Sequence, residues 1–245
     1  MRTFKSKLRL VSLLFTTKPS YDSNLETLLS LIQEAQENSL LVAPEVCLTG
    51  FDYDNFEKAA AFSSLALKKI KKISQEKIII LTMIEKRVDG FFNVVKVIHN
   101  EEVVYERAKS RLFTFAGEDK YFEAGNDEDF KIIEIDGIKI AVLVCFELRF
   151  KEMWQKSEGA DIIAIPSWWG VLRAEHLKAL SKTLAIMNQC YVITSDSLNE
   201  ECSKMSAIIT PQGKALYNGN NPCLNLEYNQ KEIALVRRYM DVGIG

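Results

Sequence analysis

Three residues of this chain combine reactive side chains with unusual sequence surroundings. Cys145 ends the apolar run from Ile138 to Val144 and is followed at once by Phe146-Glu147-Leu148-Arg149-Phe150, which reads as the start of a helix. A cysteine on a strand-to-helix turn is aimed out of a sheet edge and is a candidate nucleophile. Glu45 ends Leu40-Leu41-Val42-Ala43-Pro44, and Lys109 opens Lys109-Ser110-Arg111-Leu112-Phe113. A thiol, a carboxylate and an ammonium suffice for acyl transfer. A free thiol is mostly protonated at neutral pH and needs a base or a cation beside it. Glu45 would take its proton, and Lys109 would stabilise both the thiolate and the oxyanion formed on attack at a carbonyl or nitrile carbon. Buried alone, either charge is costly; buried together they compensate in part.

The elements that must position these residues alternate between strand and helix. Strands are expected over Leu8 to Phe15, Leu40 to Ala43 and Lys77 to Ile84, with a helix over Asn24 to Gln36 capped near Ser23 and a second ending near Lys72. Phe92 to Ile98 and Val103 to Arg107 flank the polar turn His99-Asn100-Glu101-Glu102, a hairpin signal. Asp136-Gly137 suits a two-residue turn between Phe130 to Ile135 and Ile138 to Val144. Beyond Cys145 come a helix through Met153-Trp154, a strand Asp161 to Ile165, a helix Arg173 to Asn188 and a strand Tyr191 to Ser195. A hairpin follows around Pro211-Gln212-Gly213, its first strand Met205 to Thr210, and then a helix near Lys231 to Tyr239. Helices covering partly antiparallel strands imply an α/β protein with mixed sheets, two of them face to face.

Composition narrows the classes further. The 245 residues carry 31 Lys+Arg against 33 Asp+Glu, a formal net charge of −2, which argues against a nucleic-acid binder. One domain over residues 1–245 is expected, because nothing along the chain reads as a linker. Five cysteines, odd in number and without a CxxC pair, fit neither a disulfide framework nor a zinc knuckle. The basic segment Met1 to Lys7 precedes an apolar stretch, but Arg9 interrupts that stretch and no cleavage site follows, so a first strand is expected rather than a signal peptide. No segment has the length of a membrane span, and a cytoplasmic location is expected. The run Lys68-Lys69-Ile70-Lys71-Lys72 reads as a solvated helix end. Only two histidines exist, His99 and His176, both expected in packing or surface roles, and no nucleotide-binding or serine-hydrolase motif occurs.

Three segments resemble those of the nitrilase superfamily, the carbon-nitrogen hydrolases. Leu41-Val42-Ala43-Pro44-Glu45 with Leu48-Thr49-Gly50-Phe51 is similar to its glutamate motif. Tyr105-Glu106-Arg107-Ala108-Lys109, with Leu112-Phe113, Gly117-Glu118 and the tail Tyr121-Phe122-Glu123-Ala124-Gly125, is similar to its lysine motif. Val144-Cys145-Phe146-Glu147-Leu148-Arg149-Phe150 is similar to its cysteine motif. The likeness covers nearly the whole chain. It implies a four-layer αββα sandwich of two mixed sheets, commonly a dimer, with Glu45 as general base, Lys109 as oxyanion-stabilising cation and Cys145 as nucleophile. By the same resemblance Glu118 helps order the site, and the backbone N–H of Phe146 is the second oxyanion donor. No metal or organic cofactor is required.

The reading that follows is an amidase. Cys145 would attack a small linear amide of the ω-amidase kind, and the resulting thioester would be hydrolysed with release of ammonia. An N-carbamoyl amine hydrolase and a non-catalytic scaffold of the same fold are the competing readings, and a redox-sensing cysteine is weaker still. Phe51, Tyr53, Trp168 and Trp169 are candidates for pocket walls. Arg173 is a candidate clamp for a substrate carboxylate, and Arg149 a second, although a structural ion pair is the expected role of Arg149. Where many members carry arginine and glutamate, this chain has Leu184 and Met187, read as an apolar contact replacing an ion pair. Lys151 and Glu147 also depart from the common proline and aspartate.

Overall fold

Consecutive apolar residues in a strand face opposite ways, so runs such as Leu10-Val11, Leu40-Leu41 and Ile78-Ile79 must be covered on both sides. The computed structural model, which describes residues 8–218 and 223–244, satisfies this with two sheets and two helical layers. The basic segment Met1 to Lys7 lies outside the described residues.

The first sheet contains β1 (Arg9–Leu13), β2 (Ser39–Val42), β3 (Lys77–Arg87), β4 (Gly90–His99) and β5 (Glu102–Ala108), together with β12 (Cys223–Glu227). Their order is β12-β1-β2-β3-β4-β5. The second contains β6 (Ile133–Ile135), β7 (Ile138–Val142), β8 (Ile162–Ser167), β9 (Tyr191–Asp196), β10 (Ala207–Ile209) and β11 (Ala215–Tyr217), in the order β11-β10-β9-β8-β7-β6. In each sheet three central strands run parallel and the outer ones are antiparallel.

Leu10, Leu40 and Ile78 pack against Ile140, Ile162 and Ala164 between the sheets. On the outer face of the first sheet, Val11, Leu41 and Ile79 meet Leu25, Leu28 and Ile32 of α1 (Tyr21–Glu34) and Ala66 and Ile70 of α2 (Phe56–Lys72). Helices α3 (Lys151–Lys156), α4 (Ala174–Met187) and α5 (Gln230–Tyr239) bring Met153, Leu177, Leu184 and Ile233 to the second sheet. Each fully buried Leu or Ile contributes roughly 1.5–3 kcal/mol relative to exposure. The expected αββα layering is therefore present. Among the described residues, no helix is long and apolar enough to cross a membrane.

The two hairpins read from polar turns form as expected. Asn100 and Glu101 (φ 48° and 67°), and Asp136 and Gly137 (φ 51° and 82°), take the positive φ values that two-residue turns between twisted strands require. Other boundaries differ. The strand expected from Phe130 is only three residues long, β6, because Asp127–Asp129 forms a 3-10 turn and Phe130 closes it. Strand β12 was not anticipated; it covers the free edge of β1 in antiparallel register, Arg9 opposite Glu227 and Leu13 opposite Cys223.

Helix α1 begins earlier than expected. Its N-cap is Ser20, whose side chain accepts from the Ser23 N–H, so Ser23 lies inside the first turn. Ser20→Ala should therefore lower stability by about 1 kcal/mol, and Ser23→Ala by clearly less, in urea unfolding. Equal losses would argue against this cap.

Candidate active site

Glu45, Lys109 and Cys145 each follow the end of a strand, β2, β5 and β7 respectively. Both the glutamate and cysteine turns use a left-handed non-glycine residue, Val46 (φ 41°) and Cys145 itself (φ 43°). Such a conformation costs about 1–3 kcal/mol and persists only where the surroundings enforce it. Here the Val46 N–H donates to Thr82 Oγ1 at 2.7 Å, and the Val144 N–H donates to Glu147 Oε2 at 2.8 Å. With Cys145 so turned, the Phe146 N–H meets no acceptor among the described residues.

Lys109 joins the carboxylates. Its Nζ donates to Glu45 Oε1 at 2.8 Å and to Glu118 Oε1 and Oε2 at 2.8 and 2.9 Å, and all three side chains are buried. Asn93 Nδ2 donates to the same Glu45 oxygen at 2.8 Å, while the Asn93 carbonyl accepts the Lys109 N–H at 2.8 Å. The Phe113 N–H fixes Glu118 from the other side at 2.6 Å. On the far side of the lysine strand, Gly125 donates its N–H to the Lys109 carbonyl at 2.8 Å, and a Cβ there would meet Ala108 O at 2.4 Å. Only glycine allows that approach.

Electrostatics give these groups distinct states. Burial works against the Lys109 ammonium, but Glu45 and Glu118 outweigh it and hold the group charged. Burial raises the Glu45 pKa; Lys109 pulls it down and Glu118 pushes it up, and the net direction is upward. Burial also pushes the Cys145 thiol well above its ordinary range, Glu45 adding to the rise and Lys109 opposing it, while the backbone of Trp168 hydrogen-bonds the sulfur. The resting cysteine is thus a thiol beside a strengthened base.

A narrow pocket opens at Cys145, lined by Phe113, Phe146, Trp168, Trp169, Arg149 and Arg173. Trp168, Trp169 and Arg173, three of the candidate pocket residues, are among this lining. Phe51 and Tyr53 are not among the residues lining it: Phe51 packs edge-on against Trp168 at 5.8 Å, and Tyr53 stacks on Tyr121 at 4.0 Å, within electrostatic reach of Glu118, Glu45 and Lys109. The ion pair expected at Arg149 is not formed among the described residues. Instead its guanidinium lies over the Trp169 ring at 4.8 Å, with Nη2 3.1 Å from His176 Nδ1. His99 packs in its hairpin, with Nδ1 3.0 Å from Lys77 O. Leu184 enters the core, while Met187 stays 59% exposed. A larger cleft of about 290 Å³, between α1 and β12, contains none of the reactive residues.

The carbon-nitrogen hydrolase family model matches residues 12–225. The chain belongs to the carbon-nitrogen hydrolase family. It is 29% identical over 223 residues to the 2-oxoglutaramate amidase of Bacillus subtilis, covering 86% of this chain and 85% of that protein. It is 25% identical over 180 residues to the omega-amidase YafV of Yersinia enterocolitica, covering 73% and 70%. Among solved structures, Saccharomyces cerevisiae Nit3, a member of branch 10 of the nitrilase superfamily, superposes with a TM-score of 0.82 at 21% identity, over 97% of this chain and 95% of that one. XC1258 of Xanthomonas campestris, a CN-hydrolase superfamily protein with an arsenic adduct in its active site, gives 0.82 at 19%, over 96% and 95%. These two likenesses show the fold.

Three further residues shape the hydrolase site; the sequence reading passed over Asn93 and Asp196 and noted Glu147 only as a departure from the common aspartate. Asn93 is one; a polar residue inside Phe91-Phe92-Asn93-Val94-Val95 was the available signal. Glu147 is the second. Its carboxylate is paired in two-pronged fashion with Arg107 and also accepts the Val144 and Ser110 N–H groups, each at 2.8 Å. Burial would raise its pKa, yet Arg107 and these donors hold it below the ordinary range. Glu147→Gln would leave Arg107 buried without its counter-charge and should lower stability by about 3–5 kcal/mol, read from urea midpoints.

Asp196, at the end of β9, is the third. It accepts the Trp169 N–H at 2.8 Å and the Ser203 hydroxyl at 2.5 Å, but no cation pairs with it among the described residues. Burial pushes its pKa from 3.8 to about 6. An acid whose pKa is raised by folding favours the fold when protonated, an advantage complete below its unfolded pKa and lost as pH rises through the folded one. Asp196→Asn removes that titration while keeping an acceptor for Trp169. Relative to the parent, it should gain about 2–3 kcal/mol between pH 4 and pH 8 in urea unfolding. A pH-independent difference would refute the assignment.

Proposed function

We propose that this hydrolase cleaves a small linear amide of the ω-amidase kind through a thioester on Cys145, acting as a single catalytic domain. The carrying observation is the placement of Lys109 Nζ against both Glu45 and Glu118, beside Cys145. Glu45 takes the thiol proton, and the sulfur attacks the amide carbonyl. Lys109 and the Phe146 N–H hold the oxyanion. As the carbonyl re-forms, the C–N bond breaks and Glu45 passes its proton to the departing ammonia. Water then gives a proton to Glu45 and attacks the thioester; the acid leaves and the sulfur recovers its proton. Glu118 acts through Lys109, holding the ammonium against Glu45. No step calls for a metal or organic cofactor.

The amide is held in the pocket formed by Trp168, Trp169 and Arg173, with Phe51 and Tyr53 supporting its wall. The relatives' names, 2-oxoglutaramate amidase and omega-amidase, support an amide over a nitrile. The partner in solution is a second copy of the chain. Exposed Ile186 and Met187 of α4, Leu216 of β11 and Met240 after α5 supply apolar surface for that contact. All five cysteines are free, which supports a cytoplasmic location.

Ammonia release should be measured over a panel of ω-amides, N-carbamoyl amines and aliphatic nitriles, with intact mass recording any adduct. The expected result is turnover of ω-amides with an acyl adduct on Cys145, both absent in Cys145→Ala, and a loss of about 100- to 10,000-fold in kcat for Glu45→Gln. Turnover confined to N-carbamoyl amines would replace the amidase reading, and an inert Cys145 across the panel would replace it with a scaffold.

A further inference from the structure

Asn93 holds an unanswered acceptor in the middle of the reactive cluster. Its Nδ2 donates to Glu45 Oε1 at 2.8 Å, while its Oδ1 is buried and meets no donor among the described residues. Turning the amide over brings no gain, because that would set Oδ1 against the Glu45 carboxylate and lose the bond from Nδ2. A buried acceptor left without a donor costs about 1–3 kcal/mol. The residues two positions away on the same face of β4 are Phe91 and Val95, so nothing in the packing asks for an oxygen here.

The proposed reaction supplies a donor for it. Hydrolysis of the thioester consumes a water with two O–H bonds. One must point at Glu45, which takes that proton; the other needs an acceptor if the oxygen is to face the acyl carbon. Lys109, Arg149, Arg173 and the Phe146 N–H can only donate. Glu118 is already engaged: Lys109 Nζ binds its two oxygens at 2.8 and 2.9 Å, and the Phe113 N–H adds a third bond at 2.6 Å. Lys109 and Asn93 both donate to Glu45 Oε1, which leaves Oε2 for proton exchange with the water and with the Cys145 thiol that hydrogen-bonds this carboxylate. Because Oδ1 and Nδ2 belong to one carboxamide, a water on Oδ1 falls beside the carboxylate that Nδ2 holds.

We propose that Asn93 is a catalytic residue of the second half-reaction, its Oδ1 holding the water that attacks the thioester. This rests on the thioester mechanism above and gives the water a second anchor beside Glu45. One proton passes from the water to Glu45 as the C–O bond forms. The other stays on the attacking oxygen, bonded to Oδ1, and leaves with the acid. The C–S bond breaks, and the sulfur takes its proton from Glu45.

The test is the partition of the acyl-enzyme between water and hydroxylamine, with succinamate and butyramide as the amides, in wild type and in Asn93→Ala. Hydroxylamine is the stronger nucleophile and depends less on such an anchor. The ratio of hydroxamate to acid is read only from molecules that have acylated, so lost fold or slowed acylation leaves it unmoved. Asn93→Ala should raise it about tenfold, the equivalent of one hydrogen bond. An unchanged ratio would overturn the assignment, leaving Asn93 as a positioning residue for Glu45 and the amidase reading intact. Should Asn93→Ala not fold, a crystal structure of the wild-type protein decides. An ordered water within hydrogen-bond distance of both Asn93 Oδ1 and Glu45 is expected, and an Oδ1 that binds no water would overturn the proposal. A wild type that forms no acyl-enzyme from either amide would overturn the thioester reading, and the role of Asn93 with it.

Discussion

One ammonium held between two carboxylates organises this molecule. An isolated charge buried as deeply as Lys109 costs several kcal/mol, so its place in the core depends on Glu45 and Glu118 arriving together. That requirement ties the end of β5 to the end of β2 and to the loop carrying Glu118. Asn93, midway along β4, serves both sides of the contact, taking the lysine backbone and holding the glutamate side chain. Lys109 and Glu45 are thus fixed just beyond the ends of β5 and β2, with Asn93 of β4 joining them.

The second sheet is locked to this arrangement by a different ion pair. Arg107, two residues before Lys109, reaches across to Glu147, two residues after Cys145. The same carboxylate caps the turn on which Cys145 sits and the turn that follows Lys109. Displacing one sheet against the other would break this pair at once. Asp196 performs a related task without a cation, tying the Trp168-Trp169 turn to the end of β9.

Much of this was readable in the sequence because it rests on local patterns. Apolar runs marked the inner strands, polar pairs marked the hairpins, and the motifs around Glu45, Lys109 and Cys145 lie at strand ends where few other roles suit such residues. The failures have physical causes. Strand β12 is short, alternates apolar and polar residues, and owes its existence to pairing with β1 at the opposite end of the chain. The start of α1 was hidden by Ser23, a capping type that lies within the first turn. Glu147 and Asp196 look like ordinary charges until the fold buries them. The environment of Arg149 was misjudged for the same reason: only the folded chain reveals that, among the described residues, it stacks on Trp169 and makes no ion pair.

The charge count around Lys109 has a bearing on how the reaction ends. Two carboxylates against one ammonium leave the buried cluster with an excess of negative charge. The uncharged amide group of a substrate would enter that field without penalty, whereas the acid left by hydrolysis would ionise in its place. That anion would sit beside Glu45 and be repelled. On the proposed mechanism, the number of acids that surround one lysine would itself favour expulsion of the product over the reverse reaction.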